Sequence, residues 1–204
     1  PPPPPPPPRL GSADSRMTLA SGASIKLSWP HSGRWFFYGT LTNMGTIDLL
    51  GPWGMTVDMN RVRLINMQTG LVDIRVDCQP FGSISAPSVI ENHGTLRKSG
   101  GRGTLWFSHG LSLTNHGLVE VLSGQLKMEG GGRTTGIFQT ASDASMEFLQ
   151  SYIFGKSGRF AGGGTNSLTS GSFIVEEDGV VSNLWLRASS TLLGTNFTLA
   201  GTIQ

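Results

Sequence analysis

The sequence predicts an all-β fold, a single-stranded parallel β-solenoid with about 22 residues per coil. Glycine is abundant, at 29 of 204 residues, while only 14% of residues are charged; the usual values are about 7% and about 25%. This composition suits short strands joined by tight turns, and no sustained 3.6-residue pattern of apolar residues indicates long helices. The third observation is an internal repeat in which a glycine ends a turn and a strand begins.

The repeat is clearest in the phrases LTNMG, INMQTG, IENHG and LTNHG, and looser matches continue towards the C-terminus. The repeat glycines are Gly45, Gly70, Gly94, Gly117, Gly136, Gly158, Gly179 and Gly201. The residues two positions after them, all apolar, are Ile47, Val72, Leu96, Val119, Phe138, Phe160, Val181 and Ile203. Because side chains alternate between the faces of a strand, this fixed offset predicts an inward-facing column. A second, staggered set of glycine-strand phrases predicts two or three strands per coil.

The chain starts with an uninterrupted proline tract, residues 1–8. Such a tract forms a polyproline II rod, and eight residues at about 3.1 Å each give about 25 Å. A stiff linker is the favoured interpretation, and a ligand for an aromatic groove is the alternative. Residues 9–20 are polar and unpatterned. We therefore assign residues 1–20 to a linker and residues 21–204 to a solenoid that is incomplete at its C-terminus, with further coils of the same protein as its neighbours.

Aromatic residues are concentrated in residues 29–38, and Trp53 follows. Consecutive aromatic residues in one strand point to both faces, so part of this segment is expected at the surface unless a cap covers it. The favoured interpretation is an N-terminal cap of the solenoid. The alternative is an exposed strip that binds sugar rings, with Trp35, Phe37 and Trp53 as the binding residues.

The four clearest repeats share an asparagine before the glycine, at Asn43, Asn66, Asn92 and Asn115. Asparagine and glycine tolerate positive φ, which predicts tight corners at these places. Asparagines stacked from coil to coil can also form a ladder of amide hydrogen bonds. The pattern thus predicts a structural role for these side chains.

The phrases LTNMGTIDLLG and LTNHGLVEVLSGQLKMEGGG resemble the repeats of filamentous-haemagglutinin-like and autotransporter-type adhesins. The resemblance is best over residues 39–130 and implies a right-handed parallel β-helix of the pectin-lyase-like architecture, a handedness that the crossover rule also favours. The proline tract resembles, in composition, the spacers of algal and plant wall glycoproteins. Together these resemblances imply a non-catalytic structural or adhesive module of a larger extracellular or cell-surface protein, with glycans, matrix or cell-wall polymers as partners and no cofactor.

Parallel β-helices also carry polysaccharide lyases and hydrolases, so an enzyme is the alternative function. The third position after the repeat glycines is charged in four repeats and is expected to face outward, with Asp48, Asp73, Arg97 and Glu120. In type these residues match a lyase site in which Asp48 and Asp73 bind calcium and Arg97 abstracts a proton. The favoured interpretation is a solvated charge ladder in which Arg97 bridges Asp73 and Glu120.

Two further features are candidate sites. His93 and His116 occupy the same place in two NHG corners one coil apart, where they could stack within reach of one metal ion. No third ligand appears at the matching position in the next repeats, so corner decoration without a metal is favoured. Asn196, in the phrase NFT, is a possible glycosylation acceptor of a secreted protein.

The charge and apolar patterns argue against two classes of partner. The net charge is +2 and the basic residues are scattered among acidic ones, whereas a surface that follows phosphates has clustered basic residues, so no nucleic acid is expected. No apolar stretch approaches the roughly 18 residues of a membrane span, so this segment is not expected to insert into a membrane. The single cysteine, Cys78, is predicted to be a small buried side chain.

Overall fold

The computed structural model describes residues 9–28, 34–51, 55–82, 86–187 and 189–204. Over these residues the chain is a parallel β-solenoid of about eight coils, roughly 22 residues apart, and contains no helix. The predicted fold class is confirmed. Accordingly, none of the described residues lies in a helix of the length and apolarity that a membrane span requires.

The described residues form twenty-six short strands. The first thirteen are β1 (Arg9–Leu10), β2 (Arg16–Leu19), β3 (Ser24–Leu27), β4 (Arg34–Phe37), β5 (Thr40–Asn43), β6 (Thr46–Leu49), β7 (Met55–Met59), β8 (Arg63–Asn66), β9 (Leu71–Ile74), β10 (Cys78–Gly82), β11 (Ser88–Asn92), β12 (Thr95–Lys98) and β13 (Thr104–Phe107). The others are β14 (Leu111–Asn115), β15 (Leu118–Val121), β16 (Gln125–Met128), β17 (Gly132–Thr134), β18 (Ile137–Thr140), β19 (Ser145–Phe148), β20 (Tyr152–Phe154), β21 (Arg159–Ala161), β22 (Thr165–Leu168), β23 (Gly171–Val175), β24 (Val180–Leu186), β25 (Ser190–Gly194) and β26 (Thr198–Ile203).

Over the described residues, each coil before β24 contributes one strand to each of three faces, and the strands pair in parallel. The first face runs β1-β4-β7-β10 and then β13-β16-β19-β22; between β10 and β13, Ser108 N donates to Pro80 O at 3.2 Å. Among the described residues, the second face runs β2-β5-β8-β11-β14-β17-β20-β23-β25. The third face runs β3-β6-β9-β12-β15-β18-β21-β24 and continues to β26. The long strand β24 pairs with both β21 and β22, so it joins the first and third faces near the C-terminal end.

The predicted inward column is confirmed except at its last member. Its first seven members, from Ile47 to Val181, are at most 3% exposed. The register then shifts within β24, between Ser182 and Leu184, so that Val181 pairs with Leu199 while Ile203 pairs with Leu184. The fixed spacing from the repeat glycine fails in the last repeat because of this irregularity.

The solenoid begins earlier than the sequence predicted. Strands β1 and β2 lie within residues 9–20, and they pair with β4 and β5. The assignment of residues 9–20 to a linker was therefore wrong. The segment looks unpatterned because in β2 only Leu19 is fully buried, Met17 is half-buried, and Arg16 and Thr18 are exposed. The proline tract, residues 1–8, lies outside the described residues.

The predicted amide ladder is confirmed at the corner between the second and third faces. All four asparagines are 0% exposed. The Nδ2 atoms of Asn43, Asn66 and Asn92 each donate to the Oδ1 of the asparagine in the next coil, at 2.7, 2.7 and 2.8 Å. Asn115 Nδ2 donates to Thr134 Oγ1 at 3.1 Å. These bonds satisfy buried amides that would otherwise be costly, and they fix the register between coils.

The corner glycines are required for a different reason from the one predicted. Gly94 and Gly117 do not have positive φ, and neither do the ladder asparagines. A Cβ atom on Gly117 would lie 2.2 Å from the carbonyl oxygen of Gly94, and one on Gly94 would lie 2.3 Å from that of Gly70. The expectation of positive φ was therefore wrong at these corners, where the close approach of neighbouring coils excludes a side chain.

Candidate functional site

The predicted charge ladder lies on the third face. Asp48, Asp73, Arg97 and Glu120 occupy successive paired positions of β6, β9, β12 and β15, so the predicted stacking is confirmed. These positions alternate with the inward column and therefore lie on the outer side of the sheet. The three carboxylates are nevertheless buried, at 7%, 3% and 7% exposure, because neighbouring side chains cover them.

Arg75 connects the two aspartates of this ladder. Its Nη2 donates to Asp48 Oδ1 at 3.0 Å, and its Nε donates to Asp73 Oδ2 at 2.9 Å. Arg97 Nε donates to Glu120 Oε1 at 2.6 Å. The expectation that Arg97 bridges Asp73 and Glu120 was therefore wrong, because Arg75 binds Asp73. No repeat position pointed to this role, since Arg75 follows the end of β9 and its side chain turns back over the strand.

The chemistry of the ladder is that of satisfied ion pairs. Asp73 Oδ1 also accepts a hydrogen bond from Ser99 Oγ at 2.5 Å, so both of its oxygens have donors. A calcium ion at Asp48 and Asp73 would have to displace the guanidinium of Arg75. Of the described residues, no group of three or more His, Cys, Asp or Glu side chains is arranged to hold a metal ion.

A buried ion pair lies at the corner that follows β12. The side chain of Lys98 is 0% exposed. Its Nζ donates to Asp77 Oδ1 at 2.9 Å and to the carbonyl oxygens of Gly100 and Gly101 at 2.7 and 3.2 Å. Asp77 Oδ2 in turn accepts from Gly103 N at 2.9 Å. This pair closes the loop before β13, and with all three ammonium donors used it serves structure.

Cys78 lies next to this ion pair and is 4% exposed, so its predicted burial is confirmed. Burial raises the pKa of the thiol to about 12, although the positive charge of Lys98 lowers it in part. Since the thiolate is the reactive form, Cys78 remains an unreactive thiol at neutral pH.

A row of four side chains follows the outer edge of the asparagine ladder. Each comes directly after a ladder asparagine, and its backbone N donates to the carbonyl of the preceding coil, at 2.7 to 2.9 Å. We call these residues the corner row: Met44, Met67, His93 and His116. The imidazole rings of His93 and His116 stack at 4.9 Å between centroids with 19° between their planes, which confirms the predicted stacking.

Each imidazole of the corner row has one anchored nitrogen. His93 Nε2 lies 3.0 Å from Glu91 Oε1, and His116 Nδ1 lies 2.8 Å from Thr135 Oγ1. Glu91 is held by Arg63 Nη2 at 2.7 Å. The hydrogen bonds from Arg63 and then from His93 lower the pKa of Glu91, so its carboxylate is charged and orients His93.

The predicted sugar-binding strip is only partly described. Phe37 is buried at 7% exposure, so including it in an exposed strip was wrong, while Trp53 and the side chain of Trp35 lie outside the described residues. The neighbours of Phe37, Phe36 and Tyr38, are half-buried, and their rings stack with 6.3 Å between centroids and 10° between planes. Because side chains alternate between the two faces of β4, Phe37 points inward and its neighbour Phe36 points outward.

Two arginines and an open cleft lie beside the Phe36–Tyr38 pair. The guanidinium of Arg9 lies 5.8 Å from the centroid of the Phe36 ring. Tyr38 borders an open cleft, and the other residues that line it are Ala13, Asn60, Arg61 and Ala86. Asn60 and Arg61 are exposed. This arrangement offers ring faces together with hydrogen-bond donors that a carboxylate or hydroxyl group would accept.

The candidate glycosylation acceptor Asn196 lies in the turn between β25 and β26. Its side chain is exposed, and its backbone has φ of 55°. The carbonyl of Asn196 accepts from Asp178 N at 3.2 Å, which holds the turn on the preceding coil.

The chain matches no protein-family model, no curated protein and no solved structure in comparisons with known proteins.

Proposed function

We propose that this solenoid is a non-catalytic structural or adhesive module of a larger extracellular surface or cell-wall protein. The observation that carries the proposal is the continuous register of the coils, in which polar ladders and apolar columns repeat at fixed positions from β5 to β18. Such a stack resists bending because each coil is bonded along its whole length to the next. Eight coils at about 4.8 Å would make a rod about 40 Å long.

The adhesive part of the proposal concerns glycans. The Phe36–Tyr38 pair, with Arg9 and Arg61 beside it, supplies apolar ring faces and cations on one surface. Sugar rings bury their apolar faces on aromatic side chains while their hydroxyl groups bond to polar neighbours. The guanidinium groups of Arg9 and Arg61 favour an acidic polysaccharide over a neutral one. The adhesin-like phrases and the wall-glycoprotein-like proline tract support an extracellular location.

The test compares retention with cleavage. The purified chain is run through gels containing acidic or neutral polysaccharide, with and without calcium, and the polysaccharide is then analysed for shortened chains. We expect retardation by the acidic polymer without cleavage, and loss of retardation in Tyr38→Ala. The variant Trp185→Ala, on a different part of the surface, serves as the matched control because Trp185 is also a partly exposed aromatic residue.

Two outcomes would overturn parts of the proposal. Calcium-dependent cleavage that disappears in Arg97→Ala would overturn the non-catalytic function and support the lyase with Asp48, Asp73 and Arg97. If the chain is not retained by the polysaccharide and does not cleave it, the adhesive part of the proposal is overturned. For the extracellular location, secretion of the chain from a eukaryotic host should yield a glycan whose mass is lost in Asn196→Gln.

A further inference from the structure

The corner row combines two thioethers with two imidazoles on one exposed edge of the rod. Met67 is 39% exposed, the side chain of His93 is 37% exposed, and His116 is exposed. Apolar Met67 gains little from this position, since its side chain is not part of the core. An exposed methionine beside two stacked histidines is therefore a candidate ligand set.

The backbone places these three side chains on consecutive coils. Met67 N donates to Asn43 O at 2.8 Å, and His93 N and His116 N donate to Asn66 O and Asn92 O at 2.7 Å. The side chains thus leave equivalent points that are about 4.8 Å apart along the rod. Methionine and histidine side chains are long enough to reach an ion beside the middle residue. Because ring lone pairs lie in the ring planes, the two imidazoles would turn out of their stack so that His93 Nδ1 and His116 Nε2 bind the same ion.

Both imidazoles keep one ring nitrogen for a ligand. Glu91 accepts from His93 Nε2, and Thr135 is bonded to His116 Nδ1. Within the part of the chain that the structure describes, His93 Nδ1 and His116 Nε2 have no hydrogen-bond partner. Histidines that bind metals usually have the second nitrogen oriented in this way by a carboxylate, hydroxyl or carbonyl group.

The ligand types select the ion. No carboxylate or thiol completes a set of three with the two histidines among the described residues, so the third ligand available on this edge is the thioether of Met67. Thioether sulfur is a soft ligand that binds cuprous copper and has little affinity for calcium or magnesium, while imidazole suits copper as well. We propose that Met67, His93 and His116 form a binding site for one cuprous ion.

The buried ladder beneath the row fixes the backbone of this site. The asparagines that precede the three ligands are 0% exposed and are bonded to one another at 2.7 and 2.8 Å. The backbone of each ligand is consequently fixed before an ion arrives, which lowers the entropic cost of binding. The site lies apart from the Phe36–Tyr38 pair and from the charge ladder, so the proposal does not depend on glycan binding.

The test is a titration of the full chain with cuprous copper, kept reduced by ascorbate without oxygen, against a coloured cuprous chelator. We expect one ion per chain. The variant Met67→Leu should weaken binding more than about tenfold, and the double variant His93→Gln/His116→Gln should abolish it. His109→Gln is the matched control, because His109 is exposed and pairs with Glu129 away from the row.

Thermal unfolding of each variant checks that a loss of copper binding does not come from a loss of folding. These surface changes should leave the midpoint of thermal unfolding within a few degrees of that of the original chain. X-ray absorption should show a sulfur neighbour of copper that is lost in Met67→Leu. Unchanged affinity in the double variant would overturn the site. Unchanged affinity in Met67→Leu, or equal affinity for nickel, would show a two-imidazole site and overturn the cuprous assignment.

Discussion

The first half of the rod, residues 9–128, and the second half, residues 132–204, fill the same cross-section with different chemistry. The first half is largely aliphatic and surrounds a cavity of about 40 Å³ that Val72, Leu96 and Phe107 help to line. The second half has a cluster of rings packed at 4.8 to 6.0 Å, formed by Phe138, Phe148, Tyr152, Phe154, Phe160 and Phe173.

The column of residues that contains the amide ladder changes from polar to apolar side chains along the rod. The position held by Asn92 and Asn115 is taken by Thr134 in β17, by Phe154 in β20 and by Val175 in β23. All these side chains are buried. A corner can thus be filled either by amides that satisfy one another or by apolar groups. Amides specify register through directional bonds, while rings remove more apolar surface from water.

The largest effect should follow loss of a ring from the second half. Phe154 is 0% exposed and packs against Phe138, Phe160 and Phe173. We expect Phe154→Ala to lower the free energy of unfolding by about 3–5 kcal/mol, through lost burial and the cavity left behind. Denaturant unfolding followed by circular dichroism measures this loss, and Phe36→Ala, at a half-buried ring outside the cluster, should cost much less. A loss under about 1 kcal/mol in Phe154→Ala would contradict the role of the rings.

A break in the amide ladder should have the next largest effect. Asn92→Ala removes the acceptor of Asn66 Nδ2 and the donor to Asn115 Oδ1, in a place that water does not reach. An unsatisfied buried polar group costs about 1–3 kcal/mol, and we expect a total loss of about 2–3 kcal/mol. Asn60→Ala, at an exposed asparagine, is the control and should be neutral in the same unfolding experiment. Equal effects of the two variants would mean that the ladder contributes register without stability.

The hydroxyl of Tyr152 joins the two halves and should have a smaller effect. It donates to Leu113 O in β14 at 2.7 Å, and burial raises its pKa well above the usual value, so it keeps its proton as a donor. Tyr152→Phe leaves that carbonyl with one bond fewer and should cost about 1 kcal/mol. Scanning calorimetry measures this loss, and Tyr38→Phe, at a half-buried ring, should leave the stability unchanged in the same measurement. A gain in stability for Tyr152→Phe would show that the hydroxyl is poorly accommodated.

The sequence was informative wherever a feature repeats once per coil. Asparagine and glycine at constant offsets predicted the ladder, the inward column and the stacked charges, because stacking places equal offsets next to each other. It was less informative where a contact depends on side-chain direction. Packing decides that the side chain of Phe37 points inward. It also decides that Arg75 binds carboxylates from two neighbouring coils.

Two features of the candidate sites show the same difference between contacts that repeat once per coil and contacts that do not. The pairing of Lys98 with Asp77 joins residues 21 positions apart, and it depends on how a loop folds over the corner, which no repeat position encodes. The corner row was readable, since Met67, His93 and His116 each follow a ladder asparagine. Met67 was nevertheless missed as a third ligand, because it lies in the repeat before His93 and the prediction considered only the repeats that follow His116.

The smallest expected effect is a gain from filling the cavity of the first half. Val72 lines the cavity, whereas Val119, two coils further along the same inward column, does not. Adding one methylene in Val72→Ile should raise the free energy of unfolding by up to about 0.8 kcal/mol. The same change in Val119→Ile should instead lower it by about 1–3 kcal/mol, because a closely packed site must distort. Opposite signs in denaturant unfolding would locate the loosely packed region in the first half, whereas a loss in both variants would show that the cavity cannot accept a methyl group and that the two halves are packed equally well.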